Sequence, residues 1–195
     1  MRRAASARYA SALDGVAGGV GGGVSVNPTD GLGETYHPAM IEQNVGRLCS
    51  ASPRFNWGPI VISKAELTRR IKLFGKAKGR AEANLTLVTG IAPSAVNHYG
   101  RPVRFLITDA GGKQYSVSGE ELRWAVNTDA SKDSTLFSSF VEIKDQQTSL
   151  RFTGHGFGHG VGMCQWCAQT RALQGMSHED IVRMAYVGSK LIRAY

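Results

Sequence analysis

The sequence predicts an α+β fold: a mixed, mainly antiparallel sheet with a few short helices, in a single domain that follows a disordered glycine-rich N-terminal segment. Three observations predict it. Strand-like runs follow one another with turn signals between them, so they pair as neighbours and do not alternate with helices as βαβ winding requires. Helix-start signals occur only at intervals, at Ser63 and Ser118 among others. The head of the chain, by contrast, contains Gly15-Val-Ala-Gly-Gly-Val-Gly-Gly-Gly-Val24, which reads as a linker or poorly ordered tail. The expected division is residues 1–35 as head or linker and residues 36–195 as the domain.

Taken in order, Pro59 to Ile62 is a short strand, and Ser63-Lys-Ala-Glu66 is a capping box opening a helix that runs to about Phe74 and ends at Gly75. Apolar alternation over Glu82 to Thr89 predicts a second strand. Gly100 marks a turn before a strand over Val103 to Thr108. Asp109-Ala-Gly-Gly112 is a hairpin signal, and Lys113 to Val117 returns from it. Ser118 caps a short helix from Gly119 to about Val126, with Glu121 placed for a capping box. Phe137 to Lys144 and Ser149 to Phe152 then read as a hairpin. After the glycine-rich run that follows, Ala168 to Gln174 has good helix propensity and stops at Gly175.

Composition allows one sizeable core, since 42% of the 195 residues are hydrophobic. The excess of 23 basic over 15 acidic residues gives a formal charge of +8, which attracts polyanions. No helix-turn-helix, zinc-finger or aromatic ribonucleoprotein signature is present, which argues against nucleic acid as the partner. Seven of the cations, Lys64, Arg69, Arg70, Lys72, Lys76, Lys78 and Arg80, fall on one predicted helix and its following turn, where most are expected to do no more than solvate it. No stretch approaches the roughly 20 consecutive apolar residues of a transmembrane helix. Met1-Arg-Arg has no apolar core after it, so no signal peptide is read.

The chemistry concentrates in Phe152-Thr-Gly-His-Gly-Phe-Gly-His-Gly-Val-Gly-Met-Cys-Gln-Trp-Cys-Ala168. Glycine at 154, 156, 158, 160 and 162 strips every second position of its side chain and lets the backbone approach a ligand closely. In an extended segment His155, Phe157, His159 and Val161 would project to one face, with Met163, Cys164 and Gln165 near the start of the next helix. A structural reading competes: glycine runs also build tight hairpins, and Trp166 serves as readily by burial as by stacking on a ligand.

This run resembles the sporulation stage II protein D / amidase enhancer (SpoIID/LytB) family of peptidoglycan-acting proteins, whose hallmark is Gly-x-Gly-His-Gly-Val-Gly-Met-Ser-Gln-Trp-Gly-Ala before a helix. Here it is Gly156-Phe-Gly-His-Gly-Val-Gly-Met-Cys-Gln-Trp-Cys-Ala168, departing at Cys164 for serine and Cys167 for glycine. Gly175, Ile181 and Tyr186-Val-Gly-Ser-Lys-Leu191 resemble the family's closing features. Upstream, Cys49 to Trp57, Gly100 to Val103, Ser118 to Arg123 and Asp133 to Phe140 resemble its further segments in the family's order, so the likeness covers roughly Tyr36 to Tyr195, the C-terminal portion of the domain.

The resemblance implies an envelope or extracellular location, peptidoglycan glycan strands as ligand, and a cell-wall amidase or other envelope protein as partner. It implies His155, Gly158, His159, Gly160, Gly162, Gln165 and Trp166 as substrate-binding residues. Complete relatives are lytic transglycosylases, in which a carboxylic acid protonates the glycosidic oxygen and the sugar's own hydroxyl closes an anhydro ring. That acid lies in the family just before an alanine-rich helix. Arg3 to Ala10 resembles a remnant of the helix, but the first acidic residue is Asp14, after it, and neither Glu34 nor Glu42 has motif support. The chain is therefore expected to be a fragment or degenerate copy, with its catalytic residue unassigned. A non-catalytic wall-binding amidase modulator is the alternative function.

The cysteines leave three readings open. Cys164-Gln-Trp-Cys167, at a predicted helix start, suits ordinary packing, half of a zinc site completed by His155 or His159, or a disulfide or redox pair. No cofactor is expected, zinc being the one exception these residues admit, and a small zinc-binding domain is a further alternative. Cys49 stands apart and is expected to be buried or to join the same metal.

Overall fold

The computed structural model describes residues 25–27, 33–35, 52–96, 101–157, 165–185 and 191–192. They form an α+β arrangement in which every strand pairing is antiparallel. Contacts group the chain into two compact units, residues 56–155 and the flanking segments 1–55 with 156–195.

The flanking unit begins with a short hairpin, β1 (Ser25–Asn27) with β2 (Gly33–Thr35). The glycine-rich passage 15–24 and the expected domain boundary after residue 35 abut or fall on residues outside the described set. The same unit carries α3 (Gln165–Leu173) and α4 (His178–Ala185). As the sequence predicts, α3 stops at a glycine in the left-handed conformation: Gly175 has φ +86°, its N–H reaches Ala172 O, and the Met176 N–H returns to Arg171 O. Ser177 caps α4, its Oγ accepting from the Asp180 N–H at 3.2 Å.

The central unit holds two three-stranded sheets. One has the order β3 (Asn56–Ser63), β8 (Ser149–His155), β7 (Val141–Gln146); the other is β4 (Val88–Val96), β5 (Pro102–Asp109), β6 (Gln114–Ser118). Helices α1 (Lys64–Lys78) and α2 (Gly119–Asn127) complete it. Its core is Trp57, Ile60 and Ile62 of β3, Leu67, Ile71 and Phe74 of α1, Phe105 and Ile107 of β5, Leu122 and Val126 of α2, and Leu150 and Phe152 of β8, all buried with their neighbours in one cluster. Strict alternation in β8 puts Leu150, Phe152 and Gly154 inward and Ser149, Arg151, Thr153 and His155 on the opposite face. The β7–β8 hairpin turns through Gln147 and Thr148, with Gln147 at φ +61°.

Both predicted helix starts form. Ser118 and Glu121 make the full reciprocal capping box. At Ser63 only half of it appears: Ser63 Oγ accepts from the Glu66 N–H at 3.1 Å, while the Glu66 carboxylate turns to Arg69 and Arg70.

Three sequence-based boundaries move. Helix α1 does not end at Gly75 but runs to Lys78, where Gly79 at φ +63° is the cap. Gly75 serves packing instead. A Cβ there would lie 2.4 Å from Ala83 N, so its bare backbone lets the helix press against the turn over residues 81–84. That turn, Ala81–Asn84, is a short 3-10 segment and displaces the strand expected from Glu82, which starts instead at Val88. Glu82 is buried there against Arg80 at 3.1 Å, so an ion pair and not sheet alternation placed it inside. Residues 137–140, expected as strand, precede β7 without joining its ladder.

Candidate functional site

The glycine-rich run begins inside β8 and leaves it at once. Gly154 is still paired, opposite Trp57 on one side and Val141 on the other, and His155 is the last strand residue, opposite Asn56. The extended path expected through Phe157 stops there, because Gly156 takes φ +70° and its N–H turns to Arg54 O at 3.0 Å. A left-handed residue breaks side-chain alternation, so the one-face reading applies to His155 and fails at Phe157.

His155 is exposed and held from several sides. Its backbone N–H donates to Phe140 O at 2.9 Å, and its carbonyl accepts from Ser138 Oγ. The Phe140 ring meets the imidazole edge-on at a centroid distance of 5.2 Å. Nδ1 lies 2.6 Å from Asn56 Oδ1, a contact between residues 99 positions apart in the chain.

Beside this pair the sheet surface is hollowed. An open depression of about 360 Å³ is lined by Asn56, Trp57, Gly58, Glu142, Thr153, Gly154 and His155, all within the central unit. A bulge shapes the hollow. A register shift between Trp57 and Ile60 inserts Gly58 and Pro59 as a bulge, and Gly58, at φ +97°, contributes no side chain. Behind the bulge, on the core face of the sheet, the Trp57 indole fills the space beside Gly154 and is 6% exposed. Around the bulge stand an imidazole, an amide, a hydroxyl and a carboxylate: His155, Asn56, Thr153 and Glu142. Glu142 pairs across the ladder with Thr153 and lies 3.1 Å from Lys144 Nζ. The group can exchange several directional hydrogen bonds with a polar ligand laid along the strand backbone.

The other expected site residues fall elsewhere. Gln165 is exposed at the first position of α3, and Trp166 beside it is half-buried, its Nε1 buried without a hydrogen-bond acceptor among the described residues. Both belong to the flanking unit. Gly158, His159, Gly160, Gly162 and Cys164 lie outside the described residues. Cys167 is buried and disulfide-bonded. The chain has three cysteines, so its partner is Cys49 or Cys164, both outside the described residues. A disulfide sulfur is not the thiolate that zinc binds. Among the described residues no cluster of three metal-ligating side chains occurs.

Asn56, Glu142 and Thr153 escaped sequence reading. Each is ordinary in its own segment and acquires meaning only through strand register. The cations of α1 also divide differently from expectation. Arg70 is buried and donates to Glu66, to Val126 O and to Ser134 O and Oγ. Lys64 pairs with Asp145 at 2.8 Å, Arg69 with Glu66 and Asp129, and Arg80 with Glu82 and Glu121. Four of the seven thus direct their charge to partners within the fold.

Among the described residues no helix is long and apolar enough to cross a membrane. Residues 32–162 match a family described as a domain of unknown function, DUF8618. The chain is 34% identical over 76 residues to the amidase enhancer of Bacillus subtilis (strain 168), covering 39% of this chain and 10% of that protein. It is 39% identical over 59 residues to stage II sporulation protein D of the same organism, 30% of this chain and 17% of that one. To stage II sporulation protein D of Bacillus amyloliquefaciens it is 36% identical over 78 residues, 40% and 22% of the two chains. The chain thus spans between a tenth and about a fifth of the length of these relatives. With two thirds of its residues inside the family match and these relatives beside it, the chain belongs to the DUF8618 family and is SpoIID/LytB-like.

Proposed function

We propose that this chain is a peptidoglycan-acting, SpoIID/LytB-like protein of the cell envelope, and that the depression at the end of β3 and β8 belongs to the face on which glycan strands lie. One observation carries the reading: the first histidine of the glycine-rich run is exposed at the rim of an open hollow whose other walls are Asn56, Thr153 and Glu142. Sugars present hydroxyl donors and acceptors around an apolar ring face. The hollow presents polar groups around strand backbone left bare at Gly58 and Gly154. Gly158, His159, Gly160, Gly162, Gln165 and Trp166 are glycan-binding residues on this reading by the family resemblance alone. A cell-wall amidase is the protein partner that the name of one relative suggests.

The reading is of binding first. Cleavage in the manner of a lytic transglycosylase requires a carboxylic acid that protonates the glycosidic oxygen and then takes back the proton from the attacking sugar hydroxyl. The family resemblance places no such acid on this chain. Sedimentation of the purified protein with intact sacculi tests the first step: the native chain co-sediments, and His155→Ala weakens retention by about tenfold, the loss of one or two hydrogen bonds. Failure of the native chain to co-sediment ends the proposal. Mass spectrometry of denuded glycan strands after incubation separates enzyme from binder, because only cleavage yields anhydromuramyl ends.

A further inference from the structure

The contact between Asn56 and His155 fixes more than a distance. A neutral imidazole carries its proton on one nitrogen, and the nitrogen without it is the ring's acceptor. Nδ1 faces an amide oxygen, Asn56 Oδ1, at 2.6 Å. An amide oxygen has no proton to give, so the proton of that bond sits on Nδ1. Imidazole free in water prefers the opposite tautomer, so the neighbour decides.

Asn56 is itself held. It is the first residue of β3, opposite His155 in the ladder, and the bulge at Gly58 and Pro59 follows directly. Phe140 against the ring and the two backbone hydrogen bonds of His155 hold the imidazole from its other sides. We propose that Asn56 is a positioning residue that keeps His155 in the Nδ1–H form, leaving Nε2 as a fixed acceptor for a sugar hydroxyl at the depression. With the Glu142 carboxylate, which accepts only, this gives the hollow two acceptors for O–H donors, beside the Thr153 hydroxyl and the Asn56 amide N–H groups, which can donate. The ligand half of the inference rests on the glycan reading above, while the tautomer half stands on geometry alone.

Long-range proton–nitrogen correlation spectra of the full chain, recorded with the imidazole neutral, read the tautomer of His155 directly. The signal is assigned by its loss in His155→Ala. The native chain is expected to show Nδ1 protonated and Nε2 as the bare nitrogen. Asn56→Leu, which removes the acceptor, shifts the population toward Nε2–H and weakens co-sedimentation with sacculi by about tenfold. Asn56→Asp, which keeps an oxygen at the same place, retains the native pattern and most of the retention. A native spectrum with Nε2 protonated overturns the inference without need of any variant, and so does an Asn56→Leu spectrum identical to the native one. If Asn56→Leu does not fold, the native and Asn56→Asp spectra decide. If the tautomer behaves as stated but the native chain ignores sacculi, the glycan reading falls and the positioning role of Asn56 survives it.

Discussion

The Trp57 indole lies so closely over Gly154 that a Cβ at that glycine would stand 2.2 Å from Trp57 Cζ2 and 2.6 Å from Cε2. The tryptophan is in the core cluster and meets Phe137 edge-on at 5.7 Å, so it has no free space to retreat into. Gly154→Ala is therefore expected to destabilise the protein by about 1–3 kcal/mol through overpacking. Denaturant midpoints measure it, with Gly90→Ala as the control. Gly90 has nothing within 4 Å of an added Cβ, and alanine there should leave the midpoint unchanged or slightly raised.

Arg70, only 5% exposed, makes one hydrogen bond to Glu66 within α1 and ties the helix to α2 by one to Val126 O and to the following segment by two to Ser134. Replacing it by methionine keeps much of the volume and strands the carbonyls of Val126 and Ser134. A loss of about 2–3 kcal/mol is expected. An unfolding free energy equal to that of the native chain would mean that water replaces the guanidinium at no cost.

Hydrogen bonds from Arg69 and then Arg70 lower the Glu66 carboxyl from 4.5 to about 2. A carboxyl that binds its proton less tightly when folded stabilises the native state fully above its unfolded value, and the contribution fades as pH falls from about 4.5 toward 2. Asp109, Glu121 and Asp145 are lowered too, so the native chain loses stability in acid through several groups. The specific expectation is a difference: Glu66→Gln is less stable than native at neutral pH, and the gap narrows as the solution is acidified. Denaturation curves at a series of pH values read it, and a constant gap would contradict the assignment.

Cys167 is in a disulfide and the chain has three cysteines, so one thiol remains. Thiol titration of the denatured, unreduced chain should find one free thiol and, after reduction, three. Peptide mapping without reduction then distinguishes Cys49 from Cys164 as the partner. Three thiols before reduction would contradict the disulfide, and metal analysis of the purified protein separately tests zinc binding.

What the sequence made legible is what local chemistry dictates. Ser118 with Glu121, the Asp109 to Gly112 turn and the Gly175 stop each lie within one short window, and each forms as expected. Gly75 misled because glycine ends helices and also permits close packing, and only the neighbouring turn at Ala83 decides which. The strand expected from Glu82 failed because alternation cannot distinguish a residue buried by a sheet from one buried by Arg80. At the site, His155 stood out by its glycine neighbours. Asn56 and Glu142 did not, since Asn56 meets His155 through register with a strand far off in the chain and Glu142 joins them through the register of the β7–β8 hairpin, which neither residue's own segment reveals.

The two-residue connection at Gln147 and Thr148 acquires an unexpected importance from this. Side chains in β8 alternate without a break up to His155, so one residue added or removed in that connection, with pairing re-formed around it, would exchange the two surfaces of the strand. The imidazole would point to the interior and a bare glycine to solvent. The length of this small corner, far along the strand from the histidine, decides whether the imidazole can meet a ligand.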